Sequence, residues 1–180
     1  MWVDGSWAVV LLGISVVGGA SGGFGPPAVA VPLSLLLCLV VALRRRMPEK
    51  MLLLATAVGV AQLITDVEMG PFDFAMLVIV YTVAAEGARW ASRFALVAGL
   101  CAAPVAHLRW PNGQTSVAAG IAAAVFMTVP FALAWVLGDS IRTRRAYFAQ
   151  LEERAARLER EREAQSKVAV AAERARIARE

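Results

Sequence analysis

The stretch VAAGIAAAVFMTVPFALAWVLGDSIRTRR, residues 117–145, decides the fold. Residues 117–137 are almost entirely apolar, and a helix needs roughly 17 to 25 such residues to cross the hydrocarbon core of a bilayer. Arg142, Arg144 and Arg145 follow at once, and bases just past a span hold that end in the cytoplasm. From Ser140 onward there is no Gly and no Pro, only a chain rich in Ala, Arg, Glu and Leu, all strong helix formers. The segment predicts a membrane helix that leaves the bilayer on the cytoplasmic side and continues unbroken into water.

The rest of the chain divides at the same place. Of its 180 residues 59% are hydrophobic, and the mean hydropathy is +0.63, well above a soluble domain. Nearly everything up to Gly138 is apolar. The stretch from Asp139 to Glu180 carries 11 of the 18 Lys and Arg and 8 of the 14 Asp and Glu, a net charge of +3. Such mixing of signs fits a solvated helix, and no nucleic acid is expected as a partner. Cys38 and Cys101 lie in apolar runs with no second Cys or His at metal spacing, so both are expected as small buried hydrophobes. The first apolar run lacks a basic flank before it and a cleavage site after it, which favours a retained span over a signal peptide.

Six apolar segments are bounded by charges and by Gly or Pro: residues 6–20, 28–43, 51–65, 74–88, 94–106 and 117–137. Several are short for a span and need interfacial residues or a thinned bilayer; the fifth, with Pro104, is the weakest. Arg44, Arg45, Arg46 and Lys50 make one connection basic, and Arg89 and Arg93 another, written as a tight turn over residues 89–93. The alternate connections are poor in bases: residues 22–27 are uncharged, residues 66–73 hold three acids, and residues 107–116 hold only Arg109. The rule that Lys and Arg stay inside then places both ends in the cytoplasm. Gly13, Gly18, Gly59, Gly99, Gly120 and many Ala allow close helix approach, and Trp2, Trp7, Trp90, Trp110 and Trp135 fall near span ends.

In the charged tail, Phe148, Leu151, Ala155 and Leu158 recur in steps of three and four, the seam of a parallel coiled coil. The seam weakens at Arg162 and Gln165 and resumes at Val170 and Ile177 after steps of four, a stutter that unwinds the supercoil locally. A marginal seam can hold two registers of similar energy and pass a signal as a shift between them.

The last eight residues, Glu173, Arg174, Ala175, Arg176, Ile177, Ala178, Arg179 and Glu180, resemble the start of the dimerisation and phosphoacceptor helix of the sensor histidine kinases that work with NarL/LuxR-type response regulators. That helix begins Glu-Arg-x-Arg-Ile-Ala-Arg-Glu and continues Leu-His-Asp, so the chain is expected to stop one residue before the Leu. The apolar part resembles, in layout and composition alone, the N-terminal domain common in actinobacterial members. The resemblance implies a bacterial two-component protein that uses ATP and magnesium to phosphorylate its own histidine and passes the phosphoryl group to a response-regulator aspartate. It implies no catalytic, cofactor or metal residue within these 180 residues. Ile177 would face the dimer core, and Arg174, Arg176, Arg179 and Glu180 would lie around the phosphoacceptor.

Other residues invite a functional reading beside a plain one. His107, the only histidine, is expected at a membrane interface beside Arg109 and Trp110, although a ligand or pH-sensing role is the alternative. Asp66, Glu68 and Asp73 fall on one expected outer connection, where three carboxylates would suit a hard cation or a basic peptide; a polar loop poor in bases has the same composition. Glu86 is an ionisable group near the end of a span, where a paired or functional role is the default, and Arg89, one helical turn on, would be its partner. Pro104 and Pro130 would kink their spans. The basic clusters at residues 44–50 and 142–145 suit anionic lipid headgroups as well as topology.

The expected protein is all-α: a multi-span bundle of about six helices over residues 1–138, a cytoplasmic coiled-coil signalling helix over 139–170, and the start of the phosphoacceptor helix over 171–180. Its expected setting is the bacterial plasma membrane, its partners lipids and a second copy joined through the tail. The rival readings are a membrane-anchored coiled-coil scaffold and a small transporter.

Overall fold

A computed structural model describes residues 26–68, 70, 73–110 and 116–177 of the chain. Among these residues there are five α-helices and no strand: α1 Pro27–Leu43, α2 Pro48–Thr65, α3 Phe74–Glu86, α4 Arg89–Arg109 and α5 Val117–Ile177. The all-α expectation holds. The expected first span, residues 6–20, with Trp2, Trp7, Gly13 and Gly18, lies outside the described residues.

The chain forms two compact units, Met1–Arg142 and Thr143–Glu180. In the first, α2 and α3 form the middle of the bundle; α1 packs on both, and so does α4. The core stripes repeat at helical spacing: Leu33, Leu37, Val40 and Val41 on α1, Leu52, Ala55 and Val58 on α2, and Ala75, Ile79 and Val83 on α3. Large apolar side chains also face outward, among them Leu39, Leu53, Phe74 and Leu108. The helices are therefore apolar all round, the pattern of a membrane bundle or a deeply buried core. Hydroxyls on them are satisfied locally: Ser34, Thr56, Thr82 and Thr128 each donate to the carbonyl four residues back, which removes their need for water.

Two helices are long and apolar enough to cross a membrane, Arg89–Arg109 and, within α5, Ala118–Lys167. The apolar window of the latter is only 6% buried within the protein, so most of its apolar surface is not covered by this chain. Six such helices were expected, and the described residues supply two. The reason is local: α3 has 13 residues, about 20 Å at 1.5 Å per residue, against a hydrocarbon core of roughly 30 Å. Gly87 ends it, with an extended backbone.

Helix boundaries correct three expectations. Residues 89–93 are not a turn but the first turn and a half of α4; the reversal is made by Gly87 and Ala88, and Ala91 and Ser92 are buried. The weakest expected span thereby becomes a 21-residue helix with Pro104 inside it. Glu86 ends α3 and Arg89 begins α4, so the two do not share a helical turn. Cys38 is buried as expected, whereas Cys101 is exposed, and neither is in a disulfide.

The second unit is helix through Ile177. Side chains of residues 143–167 are exposed throughout, including the expected seam residues Phe148, Leu151, Ala155 and Leu158; Ile177 is exposed too. Arg157 pairs with Glu161 one turn on at 3.0 Å, a contact that supports the helix by only about 0.3–0.5 kcal/mol. Residues 178–180, with Arg179 and Glu180 of the phosphoacceptor-like segment, lie outside the described residues.

Candidate functional site: an apolar cavity and a docked helix

A cavity of about 340 Å³ lies between α2, α3 and α4, with Phe131 of α5 on its wall. Small residues make the space: Ala55 and Gly59 on α2, Ala95, Ala98, Gly99 and Ala102 on α4. Leu52, Ile79, Val80 and Val105 line it as well. The wall is almost wholly apolar, and its polar exceptions are Thr56, Gln62 and Trp110. Thr56 already donates to Leu52 O at 2.9 Å, which leaves Gln62 and Trp110 as the polar character of the site.

Both belong to a polar cluster where α2 hands over to α3. Gln62 Nε2 donates to Asp73 Oδ1 at 2.9 Å, and Gly70 N donates to Asp73 Oδ2 at 2.7 Å. Asp73 is buried in a 3-10 turn just ahead of α3, and burial raises its pKa from 3.8 to about 6 against the opposing effect of those two hydrogen bonds. Asp66 ends α2 in the left-handed conformation, φ 58°, which Asp tolerates better than most residues. Its Oδ1 receives Trp110 Nε1 at 2.9 Å and pairs with Arg109 Nη2 at 2.7 Å. The ends of α2 and α4 are tied together at the edge of the cavity.

The three acids expected to act together therefore part company. Asp73 turns inward to Gln62, Asp66 caps α2 and holds Arg109, and Glu68 is exposed. Among the described residues no three His, Cys, Asp or Glu side chains are grouped to hold a metal ion, so the cation-binding reading has no geometry behind it. His107 sits in the last turn of α4, and a methyl group on Gly120 of α5 would meet its Nε2 at 3.1 Å. It is an inter-helix packing residue. Glu86 is exposed, at the opposite end of α3 from Asp73.

At that opposite end α5 is docked onto the bundle by one face, through positions 131, 135, 138 and 142. Phe131 packs on Gly99, where a Cβ would come within 3.0 Å of its ring. Trp135 Nε1 donates to Ser92 O at 3.0 Å and Oγ at 3.1 Å. Gly138 lies against α3 so closely that a Cβ would be 2.5 Å from Tyr81 O and 2.6 Å from Ala84 Cβ. Arg142 Nη2 donates to Val83 O and to Gly87 O, both at 2.8 Å. Val83 O already receives Gly87 N–H at 2.9 Å, so the guanidinium adds a second hydrogen bond there, gives Gly87 O a partner past the helix end, and opposes the negative dipole end of α3. Steps of four, three and four place all four residues on one stripe. Phe126, Leu133 and Leu137 fall roughly opposite and are more than half exposed.

The profile of a protein family described as a domain of unknown function, DUF7134, matches residues 1–145. The chain belongs to this family. Neither the curated proteins nor the solved structures contain a match to it. The DUF7134 match ends three residues beyond Arg142, where the first compact unit ends. The DUF7134 domain thus comprises the bundle, its cavity and the docked part of α5.

Sequence reading had taken Arg142 only as a topology or lipid-binding base, Gly138 as a boundary and Gln62 as one residue of a span. The signals were a lone amide in an apolar run, one turn before Asp66, and the 131–135–138–142 spacing.

Proposed function

We propose that the chain is the membrane-embedded sensing and signal-transmitting region of a two-component sensor histidine kinase. The observation that carries this reading is α5: one helix that begins in the bundle, docks there through Phe131, Trp135, Gly138 and Arg142, and continues to Ile177 inside the Glu173–Glu180 segment that resembles a phosphoacceptor helix. A rearrangement of the bundle that alters this docking is delivered along the helix. The active protein is a parallel homodimer joined along Phe148, Leu151, Ala155, Leu158, Val170 and Ile177. In this reading the remaining apolar segments also cross the membrane, about six in all, α3 with help from interfacial residues, and both ends face the bacterial cytoplasm. Lipid surrounds the outward Leu and Phe side chains. ATP, magnesium and a NarL/LuxR-type response regulator belong to the whole protein.

The test is autophosphorylation of the full gene product in membranes with labelled ATP, beside a variant in which the histidine of the expected Leu-His-Asp is replaced. Acid-labile label that the variant loses is the expected result. A gene product without that histidine, or one that takes no label, moves the chain to the membrane-anchored scaffold reading.

A further inference from the structure

We propose that the cavity between α2, α3 and α4 binds a lipid-soluble small molecule with an apolar body and a single hydroxyl group, held by the side-chain amide of Gln62. The size suits such a ligand: an apolar cavity of about 150 Å³ takes up benzene, and this one, at about 340 Å³, holds an apolar body roughly twice as large. The walls supply the apolar surroundings that small-molecule sites use, with few polar groups to fix orientation.

Gln62 supplies the polar contact. Its residue is 4% exposed, and it lies on the cavity wall. Its carboxamide nitrogen gives one of its two N–H groups to Asp73, which holds the amide in one orientation. Among the described residues the amide oxygen receives no hydrogen bond, whereas the hydroxyl of Thr56 on the same wall is already satisfied by Leu52 O. The oxygen is not one of the fully buried atoms without a partner, so it can be reached from the cavity, where a donor on a ligand gains one hydrogen bond. A hydroxyl, which can take the second N–H and give to the oxygen, uses both open positions of the amide, and a charged group is disfavoured by the apolar walls.

The ligand has a route to the output. Phe131 forms part of the cavity wall and packs on Gly99, and it belongs to the same α5 stripe as Trp135, Gly138 and Arg142. A molecule that fills the space beside Phe131 bears on the docking of α5. This inference names the class of stimulus for the sensor reading and rests on that reading for its consequence, while binding itself is read without ATP, so failure of one is distinguishable from failure of the other.

The experiment uses the full chain in phospholipid nanodiscs with two photoactivatable probes, decanol and decane, each carrying a diazirine in the chain, and maps adducts by mass spectrometry. The decanol probe is expected to label the α2 and α4 walls of the cavity, to be displaced by excess plain decanol, and to exceed decane labelling there by up to about tenfold, the upper value of one net hydrogen bond. Gln62→Leu brings decanol down to the decane level, and Ala102→Phe, which fills the space, removes cavity labelling by both. Equal cavity labelling of the unaltered chain by the two probes overturns the proposal without recourse to any variant. So does labelling that excess decanol leaves unchanged and that falls on outward residues such as Phe126 and Leu133, the mark of dissolved lipid.

Discussion

The two ends of the bundle are built on different chemistry. At the α2–α3 connection the contacts are mostly between side chains, Gln62 with Asp73 and Asp66 with Arg109 and Trp110, beside one from Gly70 N to Asp73. At the α3–α4 corner they fall mostly on backbone: Arg142 on Val83 O and Gly87 O, Trp135 on Ser92 O as well as its hydroxyl, and Gly138 against Tyr81 O. Side-chain pairs tolerate small shifts by rotating, whereas contacts to carbonyls fixed in a helix hold a neighbour in one place. In the proposed reading the first end admits a ligand and the second fixes the helix that reports it.

The largest effect that would break this contrast is at Gly138. Gly138→Val puts branched atoms into a space where even a Cβ would be 2.5 Å from Tyr81 O. Because backbone cannot rotate away, a loss of about 3 kcal/mol in bundle stability is expected, with α5 pushed off α3. Chemical unfolding in micelles checks it, and a variant as stable as the parent would mean that α5 does not rest on α3.

Next comes Asp73. Its folded pKa, about 6, exceeds the ordinary 3.8 because burial disfavours the carboxylate, so the folded chain holds the proton more tightly than the unfolded one. Its contribution is complete below about pH 4 and declines as pH rises through 6, by at most about 3 kcal/mol. Unfolding measured from pH 4 to 7 should show this slope, and Asp73→Asn should flatten it.

Arg142→Ala removes two charge-assisted hydrogen bonds from half-buried carbonyls and is expected to cost about 2 kcal/mol. Lys in its place recovers part of that but cannot span the fork geometry as well. If the sensor reading holds, Arg142→Ala also separates kinase output from stimulus while ATP binding stays intact, which labelled-nucleotide binding beside autophosphorylation would read.

The smallest effect is expected at the exposed pair Asp66–Arg109. Arg109→Gln should change stability by less than about 1 kcal/mol, and raising salt in the parent should reproduce most of it. A larger loss would show that this end is as rigid as the other.

The helices were legible because helical propensity and apolar runs are local properties. Residues 28–43, 51–65 and 74–88 correspond closely to α1, α2 and α3. The α3–α4 corner was less legible: the basic residues Arg89 and Arg93 read as a loop, yet they fall on the exposed side of a helix whose Ala91 and Ser92 face inward. Asp66, Glu68 and Asp73 were near in sequence and read as one site, but a left-handed residue at 66 and an inward turn at 73 send them in different directions.

By itself the sequence determined the helical class, the uninterrupted helix from residue 117 into the charged tail, and the resemblance at Glu173–Glu180, because each depends on residue type and spacing along the chain. Which face of each helix is inside was the decision of tertiary structure alone. In helices apolar all round, hydrophobicity does not separate the packed face from the outer one. Only the fit of small residues against large ones opened the cavity at Gly59, Gly99 and Ala102, seated α5 at Gly138, and set Gln62 on the cavity wall with its amide tied to Asp73.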